Sequence, residues 1–329
     1  MSDFMRLLKW NDSGEVIASY EPEFIPDDQL LSYGVSYLDE ALIGILKSDL
    51  ILVTAESGAG KTQFVTNIAM ANIMRGKRVH MIALEARQHE IEARIKFSRL
   101  ATAYYEDPTL NDKRQHLRYI NYIRGRYNEL LRPYFGLLKA TGEMKNLKTY
   151  YREKSFNVED MSTLIRTIKH ETDLIIIDHV HYLDYDEEQQ NQALKLIAKE
   201  TRDLALITGK PIILVAHIRK QDLKNKTLAP HREDIHGSSD LGKIATAVIT
   251  LGRGAPASTS KFRTYVRIAK SRDDGSLENY VAECLFDIKK LSYDKKYKVG
   301  YLSRDGKKLV PIEKKPDWMK NGTDNTNDT

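Results

Sequence analysis

The chain has 329 residues, 41% hydrophobic and 29% charged, with a net charge of +5 and a pI near 8.9. That length accommodates one large α/β domain with attached pieces, and the composition excludes fibrous and low-complexity classes. No apolar run approaches the roughly 20 residues that cross a bilayer, and MSDFMRLLKWNDSGEV lacks the basic start and apolar core of a secretion signal, so a cytoplasmic protein without a membrane partner is expected.

Residues 1–30 are polar and mixed, and read as an arm or linker. From Gly34 onward strands and helices alternate. LILVTA (50–55) is a strand running into a Gly-rich turn, and KTQFVTNIAMANIMRG is an amphipathic helix ending at Gly76. RVHMIALE (78–85) is a second buried strand, followed by a helix from Arg87 to about Tyr105. Residues 106–155 read as a basic, Tyr-rich, mainly helical insertion. Between Lys113 and Lys154 it carries eleven Lys/Arg against three Glu. A helix over 161–173 feeds the strand LIIID (174–178), and a helix over 188–208 precedes the strand PIILVAH (211–217).

A polar loop (219–236) and a helix near 238–246 come next, then strands at 247–253, 262–272 and 280–287. The single cysteine, Cys284, lies in the last of these; it cannot form an internal disulfide, which suits a reducing compartment. Residues 291–329 read as a basic C-terminal extension, with disorder expected from Trp318 on. Such alternation, with apolar strands, implies a mainly parallel sheet covered by helices on both faces, and the closely spaced late strands imply antiparallel additions at one edge.

The strongest chemical signal is Ala55-Glu56-Ser57-Gly58-Ala59-Gly60-Lys61-Thr62, set between a strand and a helix. In that context successive backbone N–H groups wrap phosphates, Lys61 reaches the β- and γ-phosphates, and the Thr62 hydroxyl binds Mg²⁺, so ATP with Mg²⁺ is the expected ligand. Ala55 stands where the usual pattern has Gly, a small change in a tight turn. Asp178 ends an apolar strand, where α/β sheets place their ligands; it can hold the Mg²⁺ shell or cap the strand. Glu85 could polarise the attacking water or serve the next helix as an N-terminal acid. His217, on the same sheet edge, could sense the γ-phosphate or make a structural hydrogen bond.

The order of these motifs resembles the DnaB-like ring helicases of superfamily four, and among them the phage helicase-primase and mitochondrial branch. The resemblance runs from about Gly34 to Asp287. Gly34-Val-Ser-Tyr-Leu-Asp39 with Gly44 is similar to the lead-in, ALEAR (83–87) to the catalytic-glutamate motif, and LIIIDHVHYL to the Walker-B segment. KETRDLALITGKPIILVAHIRK (199–220) resembles the sensor segment, and DIHGSSDLGKIATAVITLGR (234–253) the motif after it. AKSRDDG (269–275) resembles the segment that gives a neighbouring subunit Arg272 as a finger and Lys270 as its companion.

That resemblance implies a RecA-like P-loop core over 31–290, working as a homo-oligomer, a hexameric ring, in DNA replication. It implies 5′→3′ travel on single-stranded DNA, a bacterial or phage source, and a loader, primase or polymerase as partner. The DnaB type adds an N-terminal helical domain and the helicase-primases a primase; with thirty residues before the core, neither is expected here. Arg219, Lys220, Lys224, Lys226 and Arg232 in the loop after His217 could track DNA phosphates, or the loop could be a solvated surface. The competing reading is a RecA- or RadA-like DNA-dependent or regulatory ATPase that does not unwind. A non-motor nucleotide-binding module such as a kinase would leave the finger and the loop unused.

Overall fold

A computed structural model describes residues 25–26, 29–185, 190–218, 227–231, 239–314 and 316–319. The chain divides into two units, 1–30 and 31–329. In the first, Gln29 N donates to Pro26 O at 2.8 Å. The second carries, in order, α1 (Ser36–Leu42), β1 (Leu50–Ala55), α2 (Lys61–Met74), β2 (Val79–Ala83), α3 (Glu90–Glu106), α4 (Tyr119–Ile123), α5 (Asn128–Leu131), α6 (Phe135–Thr141), β3 (Leu147–Tyr151), α7 (Val158–Ile168) and β4 (Leu174–Asp178). It continues with α8 (Gln190–Thr208), β5 (Ile212–His217), α9 (Ser239–Ile244), β6 (Ala247–Pro256), β7 (Lys261–Ser271), β8 (Val281–Asp287), β9 (Ser292–Leu302) and β10 (Leu309–Pro311).

The ten strands among the described residues form one sheet in the order β10-β9-β8-β7-β6-β1-β5-β4-β2-β3. Neighbours from β6 to β3 pair in parallel, and β7 to β10 add antiparallel at one edge. This is the expected RecA-like architecture. Side chains alternate between two cores, as the period of two in a strand requires: Ile51 and Val53 enter one, Leu50 and Leu52 the other.

Helix α2 departs from expectation. It is buried nearly all round rather than amphipathic, because it lies beneath the lead-in segment. Its polar residues are used there: Asn67 Nδ2 donates to Gly34 O (2.6 Å), and Asn72 exchanges hydrogen bonds with the Ser32 backbone (2.9 and 2.7 Å). A Cβ on Gly34 would come within 2.7 Å of Asn67 Nδ2, and φ there is +65°, so glycine is required.

The insertion is corrected in part. Residues 108–146 are short helices and turns, but 147–151 form β3, a half-buried edge strand parallel to β2. Tyrosine hydroxyls explain how an irregular stretch stays folded. Tyr104 Oη accepts from Gln115 N (2.7 Å), Tyr105 Oη accepts from Leu117 N (2.8 Å), and Tyr134 Oη donates to Asp107 (2.6 Å). Their rings pack with Phe97, Leu100, Leu117 and Leu131 in a satellite core on α3.

Helix α7 begins at Val158, three residues earlier than expected, because Asn157 and Asp160 form a reciprocal capping box. The extension from 291 is also corrected, since β9 and β10 continue the sheet. Trp318 and Met319, expected in a disordered tail, pack against the main core.

Candidate active site

Parallel register brings the motif ends to one edge of the sheet. Ala55 pairs with His217 across β1 and β5, and Ala83 with Asp178 across β2 and β4. Ala55 is buried at the end of β1, which explains why a small residue suffices there. Glu56, Ser57, Gly58, Ala59 and Gly60 make the turn, and Gly58 (φ +76°) and Gly60 (φ +95°) occupy conformations that disfavour side chains. Gly60 is also the N-cap of α2, so the loop's N–H groups and the helix N-terminus share one concave surface.

Lys61 is 3% exposed and turned back into its own loop. Its Nζ donates to Ala55 O and Glu56 O (both 3.1 Å) and lies 2.9 Å from His217 Nδ1. Burial pulls its pKa down to about 8, with Asp178 and Glu85 acting in the opposite sense. Asp178 is fully buried, and neither carboxylate oxygen has a hydrogen-bond partner. Burial, with the Glu85 charge adding, pushes its pKa up to about 7, while Thr62, Lys61 and Arg94 act the other way. Two orphaned oxygens next to a threonine hydroxyl fit a Mg²⁺ shell, since a buried carboxylate without partners is costly.

Between these groups sits His179, which sequence reasoning passed over. It follows Asp178 with φ +68°, unusual for a residue other than glycine, and is 4% exposed. Its Nδ1 is 2.8 Å from His217 Nε2, and its Nε2 is 2.8 Å from Glu85 Oε2 and 3.2 Å from Thr62 Oγ1. Burial, with His217, Lys61 and His181 adding, lowers its pKa to about 3; burial and the Lys61 charge lower that of His217 to about 4. Both rings are therefore neutral at pH 7. His181 Nε2 accepts from His217 N at 3.0 Å. The signal was available in the run Asp178-His179-Val180-His181, which places two imidazoles beside a metal-type aspartate and opposite His217.

Among the described residues, Glu85, His179 and His217 bring three possible ligand atoms within 4.8 Å of one another. The Lys61 ammonium on His217, the bond between the two rings and the Glu85 contact already use those nitrogens, whereas the Asp178 oxygens have no hydrogen-bond partner. Two clefts flank the loop, of about 170 and 180 Å³, with Arg253 lining both. Its guanidinium lies 5.5 Å from the Phe262 ring centre.

Lys270 and Arg272 are not brought to this edge. Lys270 pairs with Val248 near the start of β6, whereas the residue of β6 opposite Ala55 is Leu251. Lys270 Nζ donates to the carbonyls of Gly242 (3.1 Å), Lys243 and Ala245 (both 2.6 Å), closing the C-terminal end of α9. Arg272 is exposed beside it, with its backbone N–H on Thr246 O (2.9 Å). Arg219, Lys220, Lys224, Lys226 and Arg232, with Gly237 and Ser238, lie outside the described residues. No helix among the described residues is long and apolar enough to cross a membrane.

Residues 31–290 match the model of the DnaB-like helicase C terminal domain. The replicative DNA helicase DnaB of Geobacillus stearothermophilus is 25% identical over 228 residues, covering 67% of this chain and 46% of that protein. The DNA helicase/primase of Enterobacteria phage T3 is 24% identical over 264 residues, covering 75% of this chain and 42% of that protein. This chain thus spans less than half the length of the curated relatives it matches. Among solved structures, an ATPase domain superposes with a TM-score of 0.60 at 18% identity, covering 86% of this chain and 91% of that one. A DnaB-like replicative helicase, described with its interactions with primase, gives 0.59 at 18%, covering 80% and 61%. At such identity these two likenesses speak for the fold.

Proposed function

The chain belongs to the family of DnaB-like helicase C-terminal domains, and from that premise we propose that it is the ATP-hydrolysing motor of a ring helicase moving along single-stranded DNA in replication. One observation carries this reading beyond a generic nucleotide fold. Lys61, Thr62, Glu85, Asp178 and His217 converge on the C-terminal edge of the parallel strands, while Arg272 stands at the other end of β6. A single copy then supplies half a centre, and a second copy supplies the other half.

In the complex, the loop N–H groups and Lys61 would take the β- and γ-phosphates of ATP. Thr62 and Asp178 would hold Mg²⁺, which neutralises charge building on the phosphoryl oxygens. Glu85 would accept a proton from the attacking water, and Arg272 from a second copy would stabilise the phosphoryl group in transfer. The cleft beside Gly58 and Gly60 offers the base the cationic plane of Arg253 and the ring of Phe262. His217 would pass phosphate occupancy to the residues that follow it in sequence, where Arg219, Lys220, Lys224, Lys226 and Arg232 would meet the DNA backbone. Assembly as a hexamer, 5′→3′ travel, a bacterial or phage origin, and contact with a loader, primase or polymerase belong to the same proposal.

The test is ATP hydrolysis with and without single-stranded DNA, together with unwinding of a forked duplex. Hydrolysis stimulated by DNA and lost in both Lys61→Ala and Arg272→Ala supports the motor. Stimulated hydrolysis without unwinding points instead to a RecA- or RadA-like ATPase, and hydrolysis indifferent to DNA sinks both.

A further inference from the structure

We propose that His179 is a positioning residue that orients the Glu85 carboxylate, through a hydrogen-bonded row that runs by way of His217 to Lys61. This rests on the reading above, in which Lys61 meets phosphate and Glu85 acts on water.

Three contacts join four side chains in a row: Lys61 Nζ to His217 Nδ1 (2.9 Å), His217 Nε2 to His179 Nδ1 (2.8 Å), and His179 Nε2 to Glu85 Oε2 (2.8 Å). An ammonium only donates and a carboxylate only accepts, so the two ends fix the middle. His217 accepts at Nδ1 and donates from Nε2; His179 accepts at Nδ1 and donates from Nε2 to Glu85. With neutral rings no other tautomer pair satisfies all three bonds, and the network itself supplies the assignment. Thr62 Oγ1, 3.2 Å from the same Nε2, is a second acceptor for that hydrogen.

Lys61 already spends its three N–H groups on Ala55 O, Glu56 O and His217, so reaching a phosphate requires giving up some of these. The two imidazole rings, with centroids 4.6 Å apart, keep their own 2.8 Å bond and with it the anchor of Glu85.

Two further features fit a ring held for this purpose. The left-handed backbone of His179 (φ +68°) is strained, and such strain persists where the surroundings over-determine it. Tyr182, whose ring meets His179 edge-on, places its hydroxyl 3.4 Å from Glu85 Oε1.

The test uses the full chain. His179→Asn suits φ +68°, because asparagine tolerates that conformation, so the variant should fold; its side chain is too short to reach Glu85. We expect kcat for ATP to fall about 10- to 100-fold while KM and the affinity for a fluorescent ATP analogue stay within about twofold of wild type. His217→Asn should lower kcat comparably, and the double variant should be no worse than the poorer single one, since both act through one row. Additive losses, a loss confined to KM and affinity, or an unchanged kcat in His179→Asn with wild-type hydrolysis intact would each overturn the inference alone. A wild-type chain that does not hydrolyse ATP would remove the underlying reading, and this one with it.

Discussion

Lys61 donates to His217 across the end of the sheet, at 2.9 Å, so the loop's lysine is bonded to the protein in the same place where it would serve a nucleotide. A nucleotide bound there would replace an internal hydrogen-bond set rather than fill an idle one. Lys61→Met keeps the length of the side chain and removes the charge. We expect nucleotide affinity to drop about 10- to 100-fold, as for a lost charge-assisted hydrogen bond to phosphate, measured by titration of the analogue.

The same substitution should stabilise the nucleotide-free protein. Burial lowers the Lys61 pKa from 10.5 to about 8, so the unfolded chain holds its proton more tightly than the folded one. Stability then rises with pH across that window and is lowest beneath it. Lys61→Met should gain up to roughly 3 kcal/mol at pH 7, with the gain fading between pH 8 and 10.5. Denaturant midpoints at three pH values decide it, and a gain independent of pH would refute the cause given.

Asp178 carries the opposite slope. Its folded pKa, pushed up from 3.8 to about 7, means that the unfolded chain releases its proton first. Nucleotide-free protein should lose stability as pH rises from about 4 to 7, by a few kcal/mol at most. Asp178→Asn should flatten that decline and also abolish the gain in nucleotide affinity on adding Mg²⁺. An Asn variant that still responds fully to Mg²⁺ would place the cation elsewhere.

What the sequence made legible follows from how local each cause is. The strands LILVTA, LIIID and PIILVAH read correctly because apolar strands ending in a turn or a polar residue are written in consecutive positions. Strand β3 escapes because LKTYY is half-buried on an edge and follows a long irregular stretch. His179 escapes for a related reason: its meaning lies in Glu85 and His217, which sit on other strands, and in a backbone angle no pattern displays. Trp318 is misread because a polar surrounding says nothing of the aromatic surface it meets.

Arg272 should work across copies. Its place beside Thr246, at the start of β1 and β6 rather than at the Ala55–Leu251 level where the P-loop begins, keeps it from the P-loop of its own chain. Arg272→Ala and Lys61→Ala proteins should each be inactive, yet mixing them should restore hydrolysis at those interfaces that unite the two intact halves. Lys270 is a poorer probe, because removing it takes its ammonium from three carbonyls at and just beyond the end of α9 and should cost about 1–3 kcal/mol of stability on its own. Mixed protein with no activity above its components would argue for a finger acting within the chain or for none.

Trp318 should prove structural although the sequence after it is polar. Its ring lies 6.1 Å from Tyr37 and meets Tyr280 edge-on at 5.7 Å, and Tyr37 in turn donates to Tyr280 O at 3.2 Å. The three rings tie the end of the described chain to α1 and to the start of β8, and Met319 beside them is 6% exposed. Aromatic pairs contribute beyond the area they bury, and half-burial of a large ring adds to that, so Trp318→Ala should cost about 2 kcal/mol. Because the lead-in before α1 is bonded to α2, and α2 opens with Lys61, a loosened clamp would also have a route to the site. We expect the cost in the denaturant midpoint alone, with KM for ATP staying within about twofold of wild type. A stability unchanged by the substitution would mean the ring contacts carry no energy, and a raised KM with unchanged stability would make Trp318 part of the nucleotide site instead.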